Sequence, residues 1–341
     1  MSREKEFIRK MVSVLPRSEN QFNACFESDA EILAFGNANL MFSVDSFSEE
    51  DFFSSKNPFV LGWNLAVATI SDLLASGGSP LYYGHSLTCP LSVWGDTYLT
   101  IFSSGIADAL RQCKAYFIGG DLGSSDNWSY TGIILGTSHK WLTRTGATPG
   151  DFILMTGETG AFNAEACWHF FGKKNHESDW PTLLKTRLQL RYKESCLIRE
   201  YANCCTDTSD GVGNALMDVS SLNGTGFRIR TVPYIEHGIS VMDTLSMPVD
   251  LLFLGECGEY ELLFTLNPEY YEAFFEVAVN QGLKFHTLGR INKNSVKCVE
   301  NNGHQLDMEA FDIRARDFDD PYVYVDALIA YIQNHEHFSV K

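Results

Sequence analysis

The chain lacks most of what would tie it to a membrane, an oxidising compartment or a nucleic acid. Its nine cysteines include no CxxC pair, and Cys204 and Cys205 are adjacent. An odd count and an adjacent pair suit neither a disulfide framework nor paired thiolate ligands, so reduced thiols in a cytoplasmic setting are expected. Met1 to Lys10 alternates charges without an apolar centre, which is not the pattern of a secretory signal. No run is expected to approach the roughly 20 apolar residues that cross a bilayer. Basic residues are in the minority, 26 against 43 acidic ones, for a net charge of −17. No Lys/Arg-rich run offsets that field, so neither a nucleic acid nor a membrane is expected as a partner.

The familiar nucleotide signatures are missing as well. Gly172-Lys173 has Cys167 where a P-loop needs its first glycine, and Gly211-Val212-Gly213 has Leu216 where a dinucleotide fingerprint needs its third. There is no HExxH, and His335-Glu336-His337 lies in a polar tail. A bound nucleotide would therefore be held by something other than a P-loop or a kinase glycine-rich loop.

What is present is an ordinary globular composition, 45% hydrophobic and 20% charged over 341 residues. That length favours two domains. Strand-like and helix-like segments alternate in both halves, predicting an α/β fold. The first half reads as a hairpin over 31–35 and 39–44 turning at Gly36-Asn37, an apolar helix over 61–75, strands over 81–88, 115–118 and 130–141, and a helix over 97–112. The stretch Thr143–Asp151 holds two glycines and a proline with little apolar content, and predicts a boundary between domains 1–142 and 143–341. The second half reads as strands over 152–156, 204–206, 261–266, 296–300 and 304–306, with helices over 192–201, 213–222, 269–281 and 320–335. Residues 168–181 read as a loop.

One pattern recurs: an apolar run ends and an aspartate follows among small residues. Asp45, Asp121 and the pair Asp207/Asp210 fit it, and Asp29 stands just before the first strand. Asp72 differs, because its neighbours Ala66, Val67, Ala68, Ile70, Leu73 and Leu74 predict a buried helix with no Lys or Arg between Lys56 and Arg111. A lone buried carboxylate is costly unless paired or metal-bound. If these aspartates converge, each close pair repels by about 3–4 kcal/mol at an effective dielectric of 20, which calls for divalent cations. Oxygen-only ligands select Mg²⁺ or Ca²⁺ over zinc. The plainer alternative is that each is a turn or helix-cap residue, with Ser209-Asp210 capping the helix that follows.

Taken in order, Phe42-Ser43-Val44-Asp45, Leu65-Ala66-Val67 with Ser71-Asp72-Leu73, Ile118-Gly119-Gly120-Asp121, Thr143-Arg144-Thr145-Gly146-Ala147, Asp207-Thr208-Ser209-Asp210-Gly211 and Tyr260-Glu261-Leu262 form a recognisable series. The chain resembles the thiamine-monophosphate kinases of the aminoimidazole-ribonucleotide (AIR) synthetase-like superfamily. That resemblance implies a two-domain α/β protein, dimeric through a β-barrel shared by the N-terminal domains, with ATP and Mg²⁺ in a cleft. It implies metal ligands at Asp29, Ser43, Val44 (through its backbone), Asp45, Asp72, Asp121, Asp207 and Asp210. Gly120, Asp121, Arg144 and Ser209 fall at nucleotide positions, and Asp72 and Asp210 are the candidate catalytic residues. The phosphoryl acceptor is expected to be thiamine monophosphate or an analogue.

The departures cluster at the acceptor. Ser28 replaces the family's first aspartate, Ser124 stands where an arginine is usual, and Phe52 aligns with a substrate-holding histidine. Gly258 takes the place of a glutamate, with Glu256 and Glu259 on either side; Glu259 is carried forward with Phe52 as a substrate residue. Phe311 or Phe318 would supply an aromatic near the C-terminus. Two other readings stay open: a synthetase of the same superfamily, and a non-catalytic nucleotide-binding protein.

Overall fold

Gly36 turns the chain between β1 (Glu31–Phe35) and β2 (Ala38–Ser48), which pair antiparallel with Phe35 opposite Ala38. Its φ of 61° is the left-handed geometry that a two-residue hairpin requires. The computed structural model describes residues 3–51, 57–172, 186–301 and 304–338. Before the hairpin comes α1 (Arg3–Val12). After it, Asn57 caps α2 (Pro58–Ala75) by accepting from the Phe59 and Val60 amides, and Pro58 fills the first turn, where its missing N–H costs nothing.

β3 (Ser79–Cys89), α3 (Leu91–Cys113), β4 (Tyr116–Ser124) and β5 (Ser129–Thr137) complete the first layer. The strand order is β1-β2-β5-β3-β4, antiparallel except for the β3–β4 pair. Gly119-Gly120-Asp121 was expected to follow β4, but the strand runs straight through them, pairing Gly120 with His85 and Asp121 with Ser86. Glycine tolerates this close approach; a Cβ on Gly120 would lie 2.5 Å from the His85 carbonyl oxygen. Neither sheet closes on itself among the described residues, so the barrel implied by the resemblance is not formed within one chain.

α2 is almost wholly buried against the sheet and α3. By length and composition it would pass for a membrane span, contrary to the expectation that no segment comes close. Its burial inside the fold makes it a core helix. Two glycines allow that packing. A Cβ on Gly62 would sit 2.1 Å from the Phe102 carbonyl oxygen, and one on Gly105 equally close to that of Phe59. α2 and α3 therefore meet backbone to backbone.

The second sheet has eight strands in the order β13-β12-β11-β8-β10-β6-β9-β7. These are β6 (Phe152–Met155), β7 (Cys204–Asp207), β8 (Gly226–Ile229), β9 (Leu262–Leu266), β10 (His286–Asn292), β11 (Lys297–Asn301), β12 (His304–Asp307) and β13 (Glu336–Phe338). Its helices are α4 (Ala161–Cys167), α5 (Tyr192–Tyr201), α6 (Val212–Asn223), α7 (Glu236–Leu245), α8 (Leu251–Leu254), α9 (Tyr271–Asn280) and α10 (Pro321–His335). Residues 168–172, read from sequence as part of a loop, continue α4 as a π-helical turn; the rest of that segment to residue 181 lies outside the described residues. All nine cysteines are free thiols.

The apolar core ignores the change of sheet. Leu262, Phe264 and Leu266 of β9 and Phe274 of α9 belong to the same buried cluster as Leu65, Ile70 and Leu73 of α2. The Ser195 hydroxyl donates to the Leu74 carbonyl at 2.8 Å, and the Trp63 indole N–H to Leu188 at 2.7 Å. This continuity holds the end of α2 against the start of the second sheet, where the site lies.

The glycine contact is the feature most exposed to substitution. Gly105→Ala must push α3 off Phe59, and it should destabilise the protein by about 1–3 kcal/mol in urea unfolding, as overpacking does.

Candidate active site

Strand alternation aims Met41, Ser43 and Asp45 of β2 at α2, while Val44 faces outward and is exposed. Asp72 sits in the last turn of α2, the negative end of the helix dipole, where a carboxylate is disfavoured. Asp207 ends β7, and Asp29 precedes β1. The side chains of Asp29, Asp72 and Asp207 offer oxygens that all lie within 4.8 Å of one another. Asp45 joins them electrostatically: burial first, then the charges of Asp207, Asp29 and Asp210, push its carboxyl up to about 7. Asp207 is pushed up to about 6, by burial and by Asp29. Asp72 is raised well above the ordinary range by burial and by Asp45, Asp207 and Asp29.

Local hydrogen bonds fix the cluster. Ser43 donates to Asp72 at 2.5 Å and Ser71 to Asp207 at 2.8 Å. The Ser209 hydroxyl donates to Asp207 at 3.0 Å. Arg144 is the counter-charge. Its Nη2 meets Asp29 Oδ1 at 2.5 Å, its Nε donates to Thr206 Oγ1 at 3.1 Å, and its own amide is held by the Glu27 carbonyl at 2.7 Å. The other oxygen of Asp29, Oδ2, is buried without a hydrogen-bond partner. A buried carboxylate oxygen left bare beside two more carboxylates fits a hard divalent cation, which is what the oxygen-only donor set selects.

The cluster opens into a cleft of about 760 Å³, lined by Asp29, Asp45, Asp51, Asp72, Arg144, Ser209, Asp210 and Glu256 and by the aromatic rings of Phe162, Phe170, Phe318 and Tyr324. That volume suits a small-molecule substrate. Ser209-Asp210 does not cap α6, whose first turn starts from Gly211 with no side-chain cap. Of the aromatic candidates, Phe318 lines the cleft, whereas Phe311 is buried against Tyr331, away from it.

Several sequence expectations need correction for the single chain. Gly120 and Asp121 are exposed on the edge strand β4 and do not line the cleft. The outward side chain of Val44 leaves open the backbone role expected of it. Glu259 turns inward: its carboxylate accepts from the Thr159 hydroxyl at 3.0 Å and from the Gly160 and Phe162 amides at 2.9 and 3.1 Å. It clamps the start of α4 and has no oxygen to spare for a substrate. Gly258 is wedged so tightly that a Cβ would lie 1.7 Å from the Thr208 carbonyl oxygen, so no glutamate fits there in this backbone. Glu256 is the acidic residue that reaches the cleft, held by Asn214 at 2.8 Å and the Ala315 amide at 2.7 Å. Ser28, in place of the family's aspartate, packs on Ser76 at 3.0 Å. Phe52 lies outside the described residues.

Sequence reasoning missed Asp51, Ser71 and Thr206. Ser71 had a signal, as a polar neighbour of Asp72 in an apolar helix; the other two are seen only once the strands are assembled.

The fold has known counterparts. Residues 27–138 match the family model described as AIR synthase related protein, N-terminal domain. Over more of its length the chain is similar to thiamine-monophosphate kinases: that of Archaeoglobus fulgidus is 26% identical over 309 residues, covering 89% of this chain and 96% of that protein. That of Methanopyrus kandleri is 29% identical over 247 residues, 71% of this chain and 75% of the relative. Among solved structures, AaThiL complexed with AMPPCP and TMP superposes with a TM-score of 0.70 at 22% identity, covering 87% of this chain and 93% of that one. The hydrogenase maturation protein HypE in complex with ATP shares the fold at TM-score 0.65 and 15% identity, covering 90% and 91%.

The raised carboxyls have a pH consequence. In the unfolded chain these aspartates titrate near 3.9, so between about pH 4 and 7 the folded state holds more protons and loses stability as pH rises. Without divalent cations the melting temperature should fall from pH 5.5 to 7.5, and Mg²⁺ at pH 7.5 should restore it. Asp72→Asn, which removes a charge from the cluster, should fold, flatten this pH dependence and abolish the Mg²⁺ response in calorimetry.

Proposed function

We propose that the chain is an ATP- and Mg²⁺-dependent kinase that transfers the γ-phosphoryl group of ATP to thiamine monophosphate, giving thiamine diphosphate. The observation that carries this reading is the gathering of Asp29, Asp72 and Asp207 from three distant segments, with Asp29 Oδ2 bare and Arg144 beside it. The kinase names of its relatives, and AMPPCP and TMP in the superposed AaThiL complex, support the substrates.

Phosphoryl transfer asks a protein mainly to position the reactants and offset charge. Asp29, Asp45, Asp72 and Asp207, with Asp210 at the cleft, would hold Mg²⁺, which supplies neutralisation of the ATP phosphates. Arg144, anchored on Asp29 and Thr206, presents a fixed guanidinium suited to phosphate oxygens. Ser43 and Ser71 keep the Asp72 and Asp207 carboxylates oriented. At the acceptor, Glu256 takes the acidic role expected of Glu259, and the Phe318 and Tyr324 rings, 5.7 Å apart between centroids and tilted by 57°, give an aromatic wall for a heterocycle.

The reading includes a homodimer. β4 leaves an open edge, and Tyr116, Phe117, Ile118 and Leu122 are exposed on it by 51–72%. An unpaired apolar edge strand invites a second copy. Pairing there would bury Gly120 and Asp121 and extend the sheet towards a barrel. The cytoplasm, with thiols reduced, is the setting that fits.

Purified protein given ATP, Mg²⁺ and thiamine monophosphate should form thiamine diphosphate, read by chromatography; no turnover would overturn the assignment. Arg144→Ala should lower kcat/KM for ATP by roughly 100-fold, the scale of a lost charge-assisted contact in a phosphoryl-transfer site. Ile118→Asp should shift the mass in light scattering from dimer to monomer.

A further inference from the structure

A second concave site lies on the eight-stranded sheet, on the face opposite the buried Phe227 and Ile229. It is a groove of about 570 Å³ lined by Phe152, Arg228, Arg230, Thr231, Thr287 and Arg290, among others, and it shares no residue with the aspartate cleft. Its charge is unusual for this chain. Arg290 of β10 stands directly opposite Arg228 of β8, and Arg230 follows just beyond the end of that strand. Like charges directly opposite one another weaken a strand pair.

Little in the fold offsets them. Glu300 pairs with Arg228 and lies 3.8 Å from Arg230. Among the described residues no carboxylate pairs with Arg290, whose guanidinium instead lies 3.7 Å from the centre of the Phe152 ring and donates to the Gly150 carbonyl at 3.0 Å. Three guanidiniums against one carboxylate leave a cationic groove in a protein of net charge −17. Stacking on Phe152 fixes the Arg290 plane in advance, so little side-chain freedom is lost when an anion binds. The hydroxyl-bearing Thr231 and Thr287 line the same groove.

We propose that this groove binds a small phosphorylated ligand, its phosphate or diphosphate group held by Arg228, Arg230 and Arg290. Guanidinium forks match phosphate oxygens, and the groove has the size of a small-molecule site. The proposal stands independently of the kinase reading.

The test is calorimetric titration of the full chain with inorganic pyrophosphate in EDTA. Without a divalent cation the aspartate cleft repels anions, so saturable binding reports the groove. The proposal predicts one site per chain, about tenfold weaker in Arg230→Gln and in Arg290→Gln, as loss of one charge-assisted contact implies. Arg230 is largely exposed, so its variant tests the site without risk to the fold. Absence of saturable binding to the unmodified protein would overturn the proposal. So would unchanged affinity in both variants, or sulfate binding as tightly as pyrophosphate, which would reduce the groove to unselective surface charge.

Discussion

Mutual repulsion among Asp29, Asp45, Asp72 and Asp207 is the constraint around which the fold is arranged. Like charges at these separations cost about 3 kcal/mol per pair even at an effective dielectric of 20, and burial adds to it. The fold tolerates the cluster because three of the four carboxylates are fixed by local devices: Ser43 on Asp72, Ser71 and Ser209 on Asp207, Arg144 on Asp29. One guanidinium does not balance four carboxylates. The surplus of buried negative charge is a latent instability of the chain, which the divalent cations proposed above would relieve.

Rigidity around that cluster comes from α2. Its backbone touches α3 at paired glycines, its flank packs on β9, and its last turn delivers Asp72. Capping by Asn57 sets where the helix begins, and therefore which residues reach the cluster fourteen and fifteen positions later, Ser71 and Asp72. A slip of one residue in this helix would rotate Asp72 by about 100° and dismantle the site.

Much of this was legible in the sequence. The β1–β2 hairpin announced itself through Gly36-Asn37, α2 through its apolar run, and α5 through its spacing. The aspartates could be picked out because a carboxylate among Ala, Val, Ile and Leu has no inexpensive solitary explanation. Less legible were matters of direction. Nothing in the order Glu256-Cys257-Gly258-Glu259 says which acid faces the cleft; that is decided by the wedge of Gly258 against Thr208 and by the amides at the start of α4 that claim Glu259. Strand β4 was expected to end at Ile118 because glycines usually punctuate strands, whereas here they let β4 approach β3. α1 was read only as a charge-alternating N-terminus, and β8, α7 and β10 were not picked out. The arginine groove escaped notice because Arg228 and Arg290 are far apart in sequence and meet only through strand register.

The core that runs unbroken from α2 into β9 and α9 also limits how the cleft can work. Many two-lobed enzymes admit substrate by swinging one lobe about a hinge. Here such a swing about residues 143–151 would pull Phe264 and Leu262 away from Leu65 and Leu73 and expose buried hydrocarbon to water. The lobes are effectively welded, so traffic into the cleft falls to its smaller parts: side chains at the mouth and the short segments that border it. Entry to such a cleft would ask for small movements at its mouth rather than a swing of whole lobes.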